Sequence, residues 1–238
     1  MVDPQMSVQL VDVVVKRRGK TVLGPVNLDL GAARFTIVIG PNGAGKTTLL
    51  KVLHGVERVS SGTAQWSVPD EQARQAQAYV FQSPIMLRRS VRQNLAYPLQ
   101  LLGTGKDETA ERVATWARNI GLEDMLDTPA PRLSGGEKQK LALGRALIRQ
   151  PKVLFLDEPC ANLDGRSTRE IEALLTVATK AGTRIVMTTH NIGQAMRLSE
   201  TVIFLLNGAV HESGPASEFF NAPRTPEAQA FLKGDIVE

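Results

Sequence analysis

The sequence predicts an α/β fold: a largely parallel sheet with helices on its faces, an antiparallel β region near the N-terminus and an inserted helical subdomain. Three observations predict it. Short apolar, β-branched runs of strand length recur at Phe35–Ile39, Ala78–Phe81, Val153–Leu156, Arg184–Thr188 and Val202–Leu206. Stretches with helical periodicity alternate with them, the pattern of a parallel sheet flanked by helices. From Ser83 to about Arg132 the strand signal stops and only helical spacing continues.

Taken in order, Val8, Leu10, Val26, Leu28 and Leu30 alternate with period two, which reads as an antiparallel addition to the sheet. Phe35–Ile39 is a buried strand bounded by glycines, and Thr48–His54 a helix after it. In the middle segment, Val91, Leu95, Ala96 and Leu99 mark one helix, and Ala110, Val113, Ala114 and Ala117 another. Pro98, Gly103, Gly105, Pro129 and Pro131 are loop signals there. Beyond it, Ile171, Leu174, Leu175 and Ala178 follow i, i+3, i+4, i+7, and Ile192, Ala195, Met196 and Ser199 repeat the spacing after His190.

At 238 residues the chain can bury a sizeable core without disulfides or metals. Hydrophobic residues make up 42% and charged residues 22%, which argues against disorder. The net charge of +4 is too mild to argue for nucleic acid. With Cys160 alone, no intrachain disulfide or four-cysteine zinc site can form, and a reducing compartment is expected. The opening MVDPQMSVQL lacks the charge and apolar core of a secretory leader. No run approaches the roughly 18 apolar residues of a membrane span. A soluble chain is expected, reaching any membrane through a partner.

Gly40-Pro-Asn-Gly-Ala-Gly-Lys-Thr47 matches G-x-x-x-x-G-K-[ST] directly after a strand and before a helix. Glycines let the backbone N–H groups turn onto phosphate oxygens, and the helix N-terminus adds its positive dipole end. Lys46 supplies a charge for the β- and γ-phosphates, and the Thr47 hydroxyl a Mg²⁺ position. Gly40, Pro41, Asn42, Gly43, Ala44, Gly45, Lys46, Thr47 and Thr48 are therefore the candidate nucleotide loop. A glycine-rich turn that matches by chance is the competing reading, disfavoured by the strand and helix on either side. Val153-Leu-Phe-Leu-Asp-Glu-Pro159 brings Asp157 to the carboxyl edge of the sheet, where ligands of open α/β folds bind. Asp157 can hold Mg²⁺ or its water; Glu158 can act as base on the attacking water or orient it.

Leu133-Ser-Gly-Gly-Glu-Lys-Gln139 reads locally as a capped helix start, with Ser134 and Glu137 forming a capping box. Placed between GPNGAGKT and VLFLDEP, it resembles the signature of ABC-type ATPases, and the resemblance covers nearly the whole chain. It implies a RecA-like P-loop core over residues 1–82 and 148–238, a helical subdomain over 83–147, and one ABC-type ATPase domain in all. It implies ATP and Mg²⁺ as cofactors and hydrolysis coupled to transport. By position, Gln82 resembles the glutamine that contacts Mg²⁺ or the attacking water and links to the permease. His190 resembles the switch histidine on the γ-phosphate, and Ala161-Asn-Leu-Asp164 the loop between them. Ser134, Gly135 and Gly136 then close on the γ-phosphate held by a partner subunit, in a head-to-tail homodimer. The further partners implied are integral membrane permease subunits and an external substrate-binding protein, with no nucleic acid. The subunit is expected at the cytoplasmic face of the cell membrane.

Three departures stand out. Where relatives carry an aromatic residue on adenine, this chain has Lys16-Arg-Arg-Gly19, so Arg17 or Arg18 can stack instead, with Arg18 the candidate. Gly144 stands where alanine is common, at about 1 kcal/mol of helix propensity. Cys160 lies beside the Ala161–Asp164 loop as a small buried hydrophobe. The interval from Gln82 to Ser134 is too short for coiled-coil arms, and the stretch after His190 too short for a regulatory domain. What remains resembles a free-standing importer ATPase. Ser83–Leu95 and the signature helix are similar to the tungstate, molybdate and phosphate group, tungstate most. Another importer, an exporter or lipid-extracting ATPase, and a soluble assembly scaffold are the alternatives.

Overall fold

The computed structural model describes residues 6–31, 33–235 and 237. Residues 1–5, half of the opening MVDPQMSVQL that the leader reading rests on, lie outside them. The chain runs β1 (Val8–Arg17), β2 (Lys20–Leu30), β3 (Phe35–Ile39), α1 (Lys46–His54), β4 (Ser61–Trp66), α2 (Asp70–Gln75) and β5 (Gln77–Val80). The helical stretch is α3 (Val91–Leu101), α4 (Lys106–Asn119) and α5 (Gly135–Leu147). Then follow β6 (Val153–Asp157), α6 (Gly165–Lys180), β7 (Arg184–Thr188), α7 (Ile192–Leu198), β8 (Thr201–Leu206), β9 (Ala209–Pro215), α8 (Ala216–Asn221) and α9 (Pro226–Lys233).

The main sheet has the order β5-β6-β7-β3-β8-β9, parallel except for β9, which folds back antiparallel on β8. Its five parallel strands are the five apolar runs of the sequence. The N-terminal strands depart from expectation. They do not extend this sheet; β1 pairs with β2 and β4 in a separate antiparallel sheet of order β2-β1-β4. The reason is packing. Val8, Leu10, Val13, Val15, Leu23, Val26 and Leu28 form one apolar face. That face shares a core with Leu49, Leu50 and Leu53 of α1 and with Val38, Phe155 and Val186 from one side of the main sheet. A second layer can cover the first only by facing it.

The other side of the main sheet, including Ile37, Leu154, Leu156, Ile185, Met187 and Phe204, is covered by α5, α6 and residues of α7 and α8. Helix α5 has two apolar sides. Leu143, Ala146 and Leu147 join this core, while Leu141 joins a separate cluster with Val91, Leu95, Leu99, Val113 and Ala117 of α3 and α4. Gly144 lies at the crossing: a Cβ there would stand 3.0 Å from Ile120 Cδ1 and 3.2 Å from Leu95 Cδ2. A side chain there would press on Ile120 and Leu95, a tight contact that helix propensity alone does not reveal.

Three local readings are corrected. Pro98 lies inside α3 rather than in a loop. In α4 the buried stripe runs Thr109, Val113, Ala117, while Ala110 and Ala114 are exposed. In α7 Met196 is 56% exposed and Gln194 is buried in its place.

Candidate functional site

The carboxyl ends of β3, β6 and β7 converge on one edge of the main sheet. After β3 the chain turns through Gly40–Gly45 into α1. Gly40 has φ 149°, and a Cβ on it would fall 2.1 Å from the Leu205 carbonyl oxygen. Gly45, at φ 98°, is the N-cap of α1, with no side-chain cap and no acidic residue in the first turn. The free N–H groups and dipole of that turn make an anion site. Lys46 is 6% exposed; its ammonium donates to the carbonyls of Gly40 at 2.8 Å and Pro41 at 3.1 Å. Burial pushes the Lys46 pKa down, opposed by the carboxylates of Glu158 and Asp157. Thr48 is buried in the same turn, while Asn42 and Gly43 are exposed.

Asp157, the last residue of β6, accepts three hydroxyls. Thr47 Oγ1 donates to its Oδ1 at 3.0 Å, Thr188 Oγ1 to the same oxygen at 2.9 Å, and the Tyr79 hydroxyl to Oδ2 at 3.3 Å. Burial, reinforced by Asp157, raises the Tyr79 pKa far above its ordinary value, so it stays a donor. Glu158 follows in the left-handed region at φ 45°, its N–H donating to Thr188 Oγ1 at 2.8 Å. That turn aims its carboxylate at three candidates at once. Gln82 Nε2 donates to Oε2 at 3.3 Å, His190 Nδ1 lies 3.2 Å from Oε2, and Lys46 Nζ lies 3.9 Å from Oε1.

Thus Lys46, Thr47, Gln82, Asp157, Glu158 and His190, read from four separate stretches, form one linked group. The structure does not bring Ser134, Gly135 and Gly136 into it. Ser134 caps α5: its N–H donates to Glu137 Oε2 at 2.7 Å, and its Oγ accepts the Glu137 N–H at 3.4 Å. The Ser134 N–H holds the Glu137 carboxyl below its ordinary pKa. A Cβ on Gly136 would lie 2.8 Å from Ser167 Oγ, so α5 and α6 meet there. Arg17 is committed to Glu57 at 2.6 Å, whereas Arg18 heads the β1–β2 turn, exposed and at φ 50°. Asp164 caps α6, accepting the Ser167 N–H at 2.7 Å. Burial pushes the Cys160 thiol pKa up, which suits a small packed side chain.

Tyr79 and Thr188 were missed from sequence. Their signal was positional, since Thr188 ends its strand two residues before His190 and Tyr79 stands three before Gln82. Among the described residues no cluster of three or more His, Cys, Asp or Glu could hold a metal ion. Thr47 Oγ1 with Asp157 Oδ1 is nevertheless a hard-oxygen pair that fits Mg²⁺, an ion that keeps water and phosphate oxygens among its ligands.

A family profile described as ABC transporter matches residues 23–161. The chain belongs to the ABC transporter family. It is 40% identical over 204 residues to the tungstate uptake system ATP-binding protein TupC of Peptoclostridium acidaminophilum, covering 85% of this chain and 94% of that one. A probable anion import ATP-binding protein of Haloferax volcanii is 32% identical over 238 residues, with 91% and 83% covered. Among solved structures, cbiO1 of Clostridium perfringens, part of the ABC transporter complex cbiONQ, superposes with a TM-score of 0.81. It is 28% identical, with 90% of each chain covered. This ABC protein is accordingly an ATP-hydrolysing subunit, and these curated relatives belong to uptake systems. No helix of its described residues is long and apolar enough to cross a membrane.

Proposed function

We propose that this ABC ATPase powers uptake of an oxyanion, tungstate foremost, through a membrane permease on whose cytoplasmic side it sits. The observation that carries the substrate is the 40% identity to TupC, which extends over nearly all of that relative. The system would include an external binding protein that selects the oxyanion.

The triphosphate lies on the Gly40–Thr48 loop and the N-terminus of α1. Lys46 leaves its two loop carbonyls for the β- and γ-phosphates. Thr47 and Asp157 would hold Mg²⁺, with Gln82 completing its surroundings; the bound ion offsets phosphate charge. Thr188 and Tyr79 keep the Asp157 carboxylate in place. Glu158 takes the proton of the attacking water, while Gln82 and His190 orient that water and the γ-phosphate. Arg18 stacks its guanidinium on adenine, since Arg17 is held by Glu57.

Ser134, Gly135 and Gly136 act on the nucleotide of a second copy. Support comes from where they lie: the α5 N-terminus, capped by Ser134 and Glu137, opens on Gly135, which faces open space, and a helix N-terminus presents N–H groups to an anion. ATP then sits between two copies head to tail.

The permease contact falls on a groove of about 450 Å³ lined by Phe81, Ile85, Leu87, Tyr97, Leu101 and Leu102. Ile85 and Leu101 are 67% and 70% exposed. Met86 and Leu87 of the same stretch are half-buried, and Met86 packs beneath. Arg145 donates to the Ile85 carbonyl at 2.7 Å, tying the rim to the signature helix.

The test is tungstate uptake into vesicles holding the neighbouring permease. Uptake should require ATP and this subunit and stop with Lys46→Ala. Uptake of a different solute, with none of tungstate, would sink the substrate assignment.

A further inference from the structure

Glu172 and Gln194 are buried polar side chains that the nucleotide does not reach. Gln194, in the first turn of α7, is 1% exposed, and Glu172, two turns into α6, is 9% exposed. Burying an amide and a carboxylate is costly unless each polar atom is partnered. Here the partners form one chain. Arg197 donates to both Glu172 oxygens, at 2.7 and 3.1 Å. Gln194 Nε2 donates to Glu172 Oε1 at 3.1 Å, and the Thr189 hydroxyl donates to Gln194 Oε1 at 2.9 Å. Thr189 Oγ1 in turn accepts the Asn191 N–H at 3.1 Å, and Asn191 Oδ1 accepts the Gln194 N–H at 2.9 Å.

The direction of these bonds is forced. A carboxylate held by Arg197 only accepts, so it takes the amide nitrogen of Gln194. The amide oxygen is left facing Thr189, whose hydroxyl must donate to it. The lone pairs of that hydroxyl remain for Asn191. His190 sits between Thr189 and Asn191, the two residues this chain clamps. Its own side chain is 60% exposed and has little packing to hold it.

We propose that Glu172 and Gln194 are positioning residues for His190: they fix the Thr189–Asn191 backbone and so the ring's approach to Glu158 and the γ-phosphate. The inference rests on the assignment of His190 to the nucleotide site. Neither residue touches the phosphate loop, so their loss should act on turnover and not on nucleotide binding.

Gln194→Met keeps the volume and removes the side-chain bonds. We expect kcat for ATP hydrolysis to fall about tenfold, as for a misplaced catalytic group, with KM unchanged. The chain has three histidines, His54, His190 and His211. In histidine-labelled protein the His190 ring resonances should shift while those of His54 and His211 stay. A fixed His190 signal, a shift of all three, or unchanged kcat would overturn the proposal. Glu172→Gln keeps the side chain's shape but replaces one of its two accepting oxygens with an N–H donor, so the bond directions are no longer forced; it carries the same readouts if Gln194→Met fails to fold. His190→Ala turning over at the parental rate would instead overturn the assignment of His190 itself.

Discussion

The carboxyl edge of the main sheet and the start of α5 are the two regions proposed to meet phosphate, and they are built differently. At the sheet edge the polar groups are committed to one another: Asp157 takes three hydroxyls, and Glu158 faces Gln82, His190 and Lys46. Among the described residues, the side-chain bonds at the start of α5 are the two of the Ser134–Glu137 capping box, and Gly135 faces open space. The first is pre-set by parallel strands buried on both faces. The second rides on a helical segment with its own small core and one shared helix. In the proposed head-to-tail pair, the half that is linked within its own chain would meet the other half from the second copy.

The largest expected effect is on the sheet edge. Lys46→Ala removes the buried cation between loop and carboxylates, and hydrolysis should drop at least about a hundredfold, to background in a phosphate-release assay. Parental turnover in that variant would break the assignment.

Packing changes sharpen the comparison. Leu154 and Leu95 are both fully buried, one in the main sheet and one in α3. Either change to alanine should cost about 2–5 kcal/mol in denaturant unfolding. Only Leu154→Ala should also weaken ATP binding at the sheet edge, read by nucleotide titration at a temperature where both variants are folded.

Ile85→Ser should leave unfolding and basal hydrolysis unchanged and lower ATP-driven uptake severalfold. Uptake equal to the parent's would show that the groove is not where the permease sits.

The smallest effect concerns His54, in α1. Burial lowers its pKa from the usual 6.5, against the bond to Gln77. Its folded state prefers the neutral ring, so its contribution is whole above pH 6.5 and is lost as pH falls from there towards the lowered folded value. Unfolding free energy measured between pH 7.5 and pH 5 should fall less steeply in His54→Gln than in the parent.

Much of this was legible in sequence because function sits where strands end. The five parallel strands announce themselves as apolar runs, and each catalytic candidate is placed by the run before it. β4 was not legible, since Ser61–Trp66 is exposed almost throughout and carries no alternation. The separate N-terminal sheet was not either: alternation says which side is apolar, not what covers it. Gly144 and the Met196 stripe misled for one reason, that the packing at Gly144 and the burial of Gln194 are decided by neighbouring helices and not by their own. Tyr79 serves the site through Asp157, and Thr188 through Asp157 and the Glu158 N–H, contacts that need the register of β5, β6 and β7.

The shared site is tested most directly by the oligomeric state of Glu158→Gln under nucleotide. The amide keeps the shape of the side chain and cannot take the proton, so ATP should stay bound. Light scattering on a sizing column should give a dimer with ATP and a monomer with ADP. Adding Ser134→Arg should return the ATP form to monomer while ATP still binds. A monomer under every condition, or a dimer indifferent to both nucleotide and Ser134, would contradict a site closed by the second copy.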